Sequence, residues 1–269
     1  MTTSINTNVA SLNAQRSLAT TAGSLATSMA RLSSGLRVNS AKDDAAGLAI
    51  AERMDTQTRG MNVAIRNSND AISLAQTAEG ALGVISANLQ RMRELAVQGA
   101  NGTNNSSDIT ALDNEFKLLA AENTRVAAST TFNGTKVIDA TTFTFQVGAN
   151  GTANDSLSVT ASSYAGTSSS LGTANSTALA QISALDADIT SITSARATWG
   201  ATQNRFEMVI QNLRVGAENS SAARGRIMDA DYAQETANLS RAQVLQQAGT
   251  AMVAQANQSA QSVLTLLRQ

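Results

Sequence analysis

The sequence predicts a mainly α protein: a long antiparallel helical bundle or coiled coil, its N- and C-terminal helices paired, with a small β-hairpin region in mid-chain. Three observations predict it. Both ends of the 269-residue chain carry apolar residues at helical spacing over roughly forty residues, and Leu185, Ile192, Trp199, Phe206 and Leu213 recur every seven residues. The chain has no proline and only 3% aromatic residues, so nothing interrupts long helices and the core must be built from aliphatic side chains. Only between Thr130 and Ser176 does the period change from helical to alternating.

The first forty residues open a stripe at Ile5, Val9 and Leu12. It resumes as Leu18, Ala22, Leu25, Met29, Leu32 and Leu36, in steps of three and four. The charges before Asp43 are Arg16, Arg31, Arg37 and Lys42, without an acid among them. The pattern breaks at Ser34-Gly35 and again at Val38 to Ser40. Ser40 followed by Asp43 has capping-box spacing, which predicts a second helix starting there. Leu82, Leu89 and Ala96, with Ile85 and Met92, give that helix a heptad frame ending near Gly99. A third helix is expected with Ser107 or Asp108 as its cap, carrying Ile109, Leu112, Phe116, Leu119 and Val126.

In mid-chain, Phe143, Phe145 and Val147 alternate with polar residues, a turn-rich stretch runs from Gly148 to Asp155, and Leu157 and Val159 alternate again. That pattern predicts a β-hairpin. Phe132-Asn133-Gly134 starts a further short turn or strand, and the Ser, Thr, Gly and Ala of 162–177 read as an exposed loop. Helix resumes near Ala178 and breaks near Gly225.

Asp229, Ala230 and Asp231 open the terminal helix, acids suiting its positive end. Leu245, Gly249, Met252, Ala256, Ala260, Val263 and Leu267 share one face with an eleven-residue repeat, so the helix should run nearly straight. The stripe is narrow, partly of small residues, and flanked by glutamines. Its burial cannot offset the ordering entropy without neighbours on several sides. Two readings stand at this point: an assembly element, or an ordinary long helix paired inside one domain. The first predicts that residues before about Ser40 and after about Arg226 order only on assembly.

Chemistry is excluded more sharply. The chain has no histidine and no cysteine. A His-Glu-x-x-His zinc site, a Ser-His-Asp triad and a thiolate nucleophile are all unavailable, and no Gly-Lys-Ser/Thr phosphate loop occurs. Asp43-Asp44 and Asp229/Asp231 stand at helix starts, where capping accounts for them. No enzyme activity, cofactor or metal is expected. The net charge of −1 gives no field for nucleic acid, and no apolar run is long enough for membrane insertion.

Several stretches together resemble the bacterial flagellins. They are Ser4-Ile-Asn-Thr-Asn-Val-Ala-Ser-Leu-Asn-Ala-Gln15, Leu32-Ser-Ser-Gly-Leu-Arg-Val-Asn-Ser-Ala-Lys-Asp-Asp-Ala-Ala-Gly-Leu-Ala-Ile50, Gln90-Arg-Met-Arg-Glu-Leu-Ala-Val-Gln98, Phe132-Asn-Gly-Thr135, Gln203-Asn-Arg-Phe206 and Ser240-Arg-Ala-Gln-Val-Leu-Gln-Gln-Ala-Gly249. The resemblance implies a secreted, extracellular subunit that polymerises into the filament of the flagellum and serves motility. It implies that 1–39 and 227–269 form the filament's inner core, with Ile5, Val9, Leu12, Leu18, Leu25, Met29, Leu32, Leu245, Met252, Ala256, Val263 and Leu267 as its assembly residues. It implies a helical shell at 40–130 and 177–226, whose core includes Leu82, Leu89, Leu185, Ile192, Trp199, Phe206 and Leu213. The hairpin and loop of 131–176 belong to that shell and are too short for a separate outer domain.

Implied partners are further copies of the chain, other flagellins, a type III export chaperone, the filament cap and the hook-junction proteins. A vertebrate innate immune receptor is also implied, through Arg91, Leu95 and Glu115, with Met92 where the family usually has Val. The competing readings are a hook–filament junction protein, which resembles flagellin at both ends, and a flagellin-derived cell-surface binding protein.

Overall fold

The computed structural model describes the backbone of residues 7–266 and the side chains up to Ser259. Its helices are α1 (Val9–Ser34), α2 (Ala45–Gly99), α3 (Ser106–Ser129), α4 (Asn175–Met228) and α5 (Tyr232–Leu266). Between α3 and α4 lie β1 (Thr131–Phe132), β2 (Thr135–Lys136), β3 (Thr142–Gln146) and β4 (Ser156–Thr160). The chain forms two compact units, one of residues 1–56 with 220–269, the other of 57–219.

In the first unit, α1 begins where the Asn8 side chain accepts from Ser11 N–H. It ends at Gly35, whose φ of 72° is the left-handed conformation glycine adopts without penalty. The Ser40–Asp43 box forms: the Asp43 carboxylate accepts from the N–H groups of Asn39 and Ser40 and from the Ser40 hydroxyl. Hydrogen bonds from Ser40 hold that carboxyl below its usual range. The box closes a turn ahead of the helix rather than capping it. The cap of α2 is Asp44, whose Oδ1 accepts from Gly47 N–H at 2.8 Å and whose carbonyl accepts from Leu48 N–H.

Asp231 opens α5 in the same way, accepting from Ala233 and Gln234 N–H. The two chain reversals of this unit are stitched together. Leu36 and Asp229 form an antiparallel bridge, Arg37 N–H donates to the Met228 carbonyl, Ala230 N–H donates to Gly35, and the Arg37 guanidinium caps Ile227. Beneath them lies a small cluster of Val38, Ala51 and Met228, edged by Leu36, Leu48 and Ile227. That cluster draws the start of α2 and the end of α4 into the same unit as α1 and α5.

The second unit holds the main core. Along α2, Leu74, Leu82, Ile85, Leu89, Met92 and Leu95 are buried, and along α4, Leu185, Ile192, Trp199 and Phe206. The two helices run antiparallel, as Gln203 donating to Glu79 at 3.0 Å and Arg93 donating to Asp186 at 2.6 Å require. Helix α3 is capped by Asn105, earlier than expected, in a full capping box with Asp108.

The β1–β2 turn places Asn133 at φ 49° and Gly134 at φ 79°, a pair of positive angles that suits a two-residue hairpin. The β3–β4 hairpin is present with Phe143 opposite Val159 and Phe145 opposite Leu157. Phe145 meets Phe206 edge-on at 5.4 Å, so the hairpin closes one side of the helical core.

The stretch expected as an exposed loop is exposed only in part. Leu171 and Ser168 are buried. The buried Asp113 carboxylate accepts from Leu171 N–H at 2.7 Å, the Ser170 hydroxyl at 2.9 Å and Lys117 at 2.6 Å. The Thr167 hydroxyl donates to Asp188 at 2.8 Å. Leu171 fits because Gly99 has no side chain there: a Cβ on Gly99 would stand 2.8 Å from it.

Candidate assembly surface

The candidate surface is built on the α1–α5 pair, which is antiparallel. Asn8 donates to the Ala256 carbonyl near one end, and the Tyr232 hydroxyl donates to the Leu32 carbonyl near the other. Between them, Arg31 meets Glu235 at 3.0 Å. Burial works against the Glu235 charge, but the Arg31 hydrogen bond and then Ser28 outweigh it, so its carboxyl lies below the usual range.

What this pair buries is unusual for two helices with greasy stripes. Its enclosed residues are Ser11, Ser28, Glu235 and Ala242. Leu18, Leu25 and Leu32 are half-buried, as are Gly249, Val253 and Ala256. On α5 the inward row is therefore a heptad of Glu235, Ala242, Gly249 and Ala256, small or polar throughout. Several large apolar side chains stand outside it. Val9, Leu12 and Met29 are exposed on α1, as is Val244 on α5, while Leu245 is 51% and Met252 62% exposed. Ile5 and Leu267, and the side chains of Ala260 and Val263, lie outside the described residues. The apolar periodicity of the sequence joined residues of both faces: Val9, Leu12, Met29, Leu245 and Met252 stand outside, while Leu18, Leu25, Leu32 and Ala256 are half-buried. It could not find Ser11, Ser28, Glu235 and Ala242, because none of them carries a strong hydrophobic signal.

Among the expected shell residues, Leu82, Leu89, Leu185, Ile192, Trp199 and Phe206 lie in the main core, and Leu213 is half-buried. Arg91 and Glu115 are exposed and joined at 2.9 Å, with Glu94 also on Arg91 at 2.9 Å, and these carboxylates raise the Arg91 pKa. Leu95, expected beside them as a receptor contact, is 1% exposed and faces the core. Leu95 lies three residues after Met92 and beside Ala96, on the face of α2 that turns inward, so in the subunit the two charged residues are the accessible ones of the three. Met92 has a partner of its own, the buried Asn123, whose amide approaches the sulfur at 3.6 Å.

No group of three or more acids, histidines or cysteines that could hold a metal occurs among the described residues. None of their helices is long and apolar enough to cross a membrane.

A family model described as the bacterial flagellin N-terminal helical region matches residues 5–142, and one described as the C-terminal helical region matches residues 182–267. A protein of Halalkalibacterium halodurans named flagellin is 45% identical over 98% of this chain and 99% of its own length. A flagellin of Bacillus subtilis is 39% identical over 98% and 99%. The crystal structure of Bacillus cereus flagellin superposes with a TM-score of 0.51 at 36% identity, covering 59% of this chain and 94% of that one.

Proposed function

This chain belongs to the bacterial flagellins, the structural subunits that polymerise into the flagellar filament, and from that premise we propose that its α1–α5 pair is the inner assembly element. The observation that carries the proposal is the inversion of the pair. Two helices held together by Ser11, Ser28, Glu235 and Ala242 present Val9, Leu12, Met29, Leu245 and Met252 to whatever lies outside. Apolar rows left uncovered by their own chain mark an interface. A second copy offering the same rows would cover them.

In this reading residues 40–130 and 177–226 are the helical shell of the filament, and the hairpin and loop of 131–176 belong to it. The subunit acts outside the cell after export, with a chaperone shielding the exposed apolar rows beforehand and a cap and junction proteins closing the filament's ends. The absence of cysteine suits passage of an unfolded chain, since no disulfide can form within it. The family is structural, and a chain without histidine or cysteine supports a role without catalysis.

Electron microscopy of the purified protein tests the proposal. Long, thin, smooth filaments are expected, because 131–176 is too short to add an outer domain. Short rings would favour a junction protein, and the absence of polymer a surface-binding role.

A further inference from the structure

The chain holds three Asn-Gly pairs, Asn101-Gly102, Asn133-Gly134 and Asn150-Gly151, and all three asparagines are exposed. Such a pair can react with itself, because a glycine nitrogen has no side chain beside it to keep it from the preceding carboxamide carbon. The reaction needs an unheld carboxamide and an unheld N–H, and there the three differ. Asn101 is clamped. Its Oδ1 accepts from Thr103 N–H at 3.5 Å, past Gly102, and its carbonyl accepts from Asn175 Nδ2 at 2.6 Å and from Asn104 N–H at 3.1 Å. Asn133, at φ 49°, is fixed in the tight turn between β1 and β2. Asn150 lies in the β3–β4 connection, past the last paired residues Gln146 and Ser156. Neither its carboxamide nor Gly151 N–H has a hydrogen-bond partner among the described residues, and a Cβ on Gly151 would meet open space. The bond that does touch this pair falls on the reacting amide: Gln146 Nε2 donates to the Asn150 carbonyl at 2.6 Å, and to the Gly148 carbonyl at 3.1 Å.

We propose that Asn150-Gly151 is a self-modification site, at which Asn150 converts with age to a mixture of aspartate and isoaspartate. The inference stands apart from the filament reading. The Gly151 nitrogen gives its proton to solvent base and attacks Asn150 Cγ. The Cγ–Nδ2 bond breaks, ammonia leaves, and a five-membered imide closes. Water then adds to one of the two imide carbonyls. Opening at Cγ gives aspartate; opening at the backbone carbonyl leaves the chain running through Cβ and gives isoaspartate. One water enters, one ammonia leaves, and no oxidant or cofactor is needed. Gln146 is the positioning residue. The charge left when Gly151 N loses its proton is shared with the Asn150 carbonyl oxygen of the same amide, and a hydrogen bond to a charged form favours that form. The modified residue sits where the hairpin rests on α2. A Cβ on Gly60 would stand 2.8 Å from Ala149 Cβ, and Asn67 Nδ2 donates to the Gln146 carbonyl at 3.1 Å. Isoaspartate adds a backbone carbon beside that contact and loosens it, whereas aspartate adds only a charge.

The test is timed incubation of the purified full chain in heavy-oxygen water at neutral and mildly alkaline pH. Digests are read by mass spectrometry with fragmentation that separates aspartate from isoaspartate. The peptide holding Asn150 should turn acidic first, as a mixture of both acids, with one heavy oxygen taken up per converted copy and a faster course at alkaline pH. Gly151→Val should lose the reaction over the same period; if that variant does not fold, Gly151→Ala replaces it and should slow it. Gln146→Ala should slow the reaction about two- to tenfold, one neutral hydrogen bond's worth. A merely structural Gln146 predicts the opposite sign, because freeing the turn would speed the attack. Hydrogen exchange at the β3–β4 N–H groups should quicken in aged protein and stay unchanged in fresh Asn150→Asp. Acid appearing first at Asn101 or Asn133, or aspartate alone at position 150, would overturn the site. Faster conversion in Gln146→Ala would overturn the role given to Gln146.

Discussion

A Cβ built on Gly249 would stand 3.1 Å from Leu18 Cδ1, so α5 carries a glycine where a half-buried leucine of α1 comes closest. The contact sits on the heptad of Glu235, Ala242, Gly249 and Ala256 that faces α1. It shows how a helix can pair tightly on its small residues and keep its large ones free. Gly249→Ala gains about 1 kcal/mol of helix propensity and asks Leu18 to shift by a few tenths of an ångström, so it should be nearly neutral. Gly249→Leu forces the helices apart. Circular dichroism of the monomer should show a lower helix signal for Leu and an unchanged one for Ala.

The outer face predicts a separation between stability and assembly. Met252 is exposed and makes no part of either core. Met252→Asp should therefore leave the monomer's melting temperature where it is and abolish polymerisation, followed by light scattering. A lowered melting temperature would place Met252 inside the subunit.

Trp199 lies 2% exposed in the main core, on the α4 seam that also carries Phe206. Trp199→Ala should cost about 3–5 kcal/mol, the usual range for deleting a large buried aromatic side chain. Chemical denaturation of the monomer measures it, and an unchanged midpoint would mean that the seam contributes little.

Acid should loosen both units. Asp113 is buried, which works against its charge, but Lys117, Leu171 N–H and Ser170 together leave its carboxyl below the usual value. Glu235 is shifted in the same direction. A carboxyl whose folded pKa lies below its unfolded one stabilises the fold above the unfolded value, about pH 4. It loses that contribution as the pH falls through the folded value. Melting temperature should thus drop steeply below about pH 4. Asp113→Asn should flatten the drop and speed hydrogen exchange at Leu171.

The paired termini bury little that is large, so their helices should be the first part of an isolated monomer to open. Mild proteolysis should trim the monomer and spare the polymer. The bridge between Leu36 and Asp229, and the cluster of Val38, Ala51 and Met228 beneath it, should set the limits of the stable fragment near Gly35 and Ala230. Mass spectrometry of the digest locates those limits. Cuts well inside them would show that the stitched reversals do not hold alone.

Much of this architecture is local and was legible in the residues. Seven-residue repeats set the long helices, alternation around Phe143 and Val159 set the hairpin, and the missing histidines and cysteines removed whole classes of chemistry. Three decisions belonged to the tertiary structure. Ser40 and Asp43 have the spacing of a cap, yet Asp44 caps α2, because the Asp43 carboxylate turns back to the N–H groups of Asn39 and Ser40 while Asp44 reaches Gly47 N–H. The 162–177 stretch reads as loop, yet Asp113 on α3 and Asp188 on α4 hold it from either side in sequence. On α5, periodicity can find an apolar row but not say which way it faces. That direction was fixed by Ser11, Leu18, Ser28 and Arg31 on α1, which fit the small and acidic row of Glu235, Ala242 and Gly249. Close approach of two backbones needs small side chains between them, and the buried Glu235 carboxylate needs its guanidinium, so Leu12, Met29, Leu245 and Met252 were left for the outside.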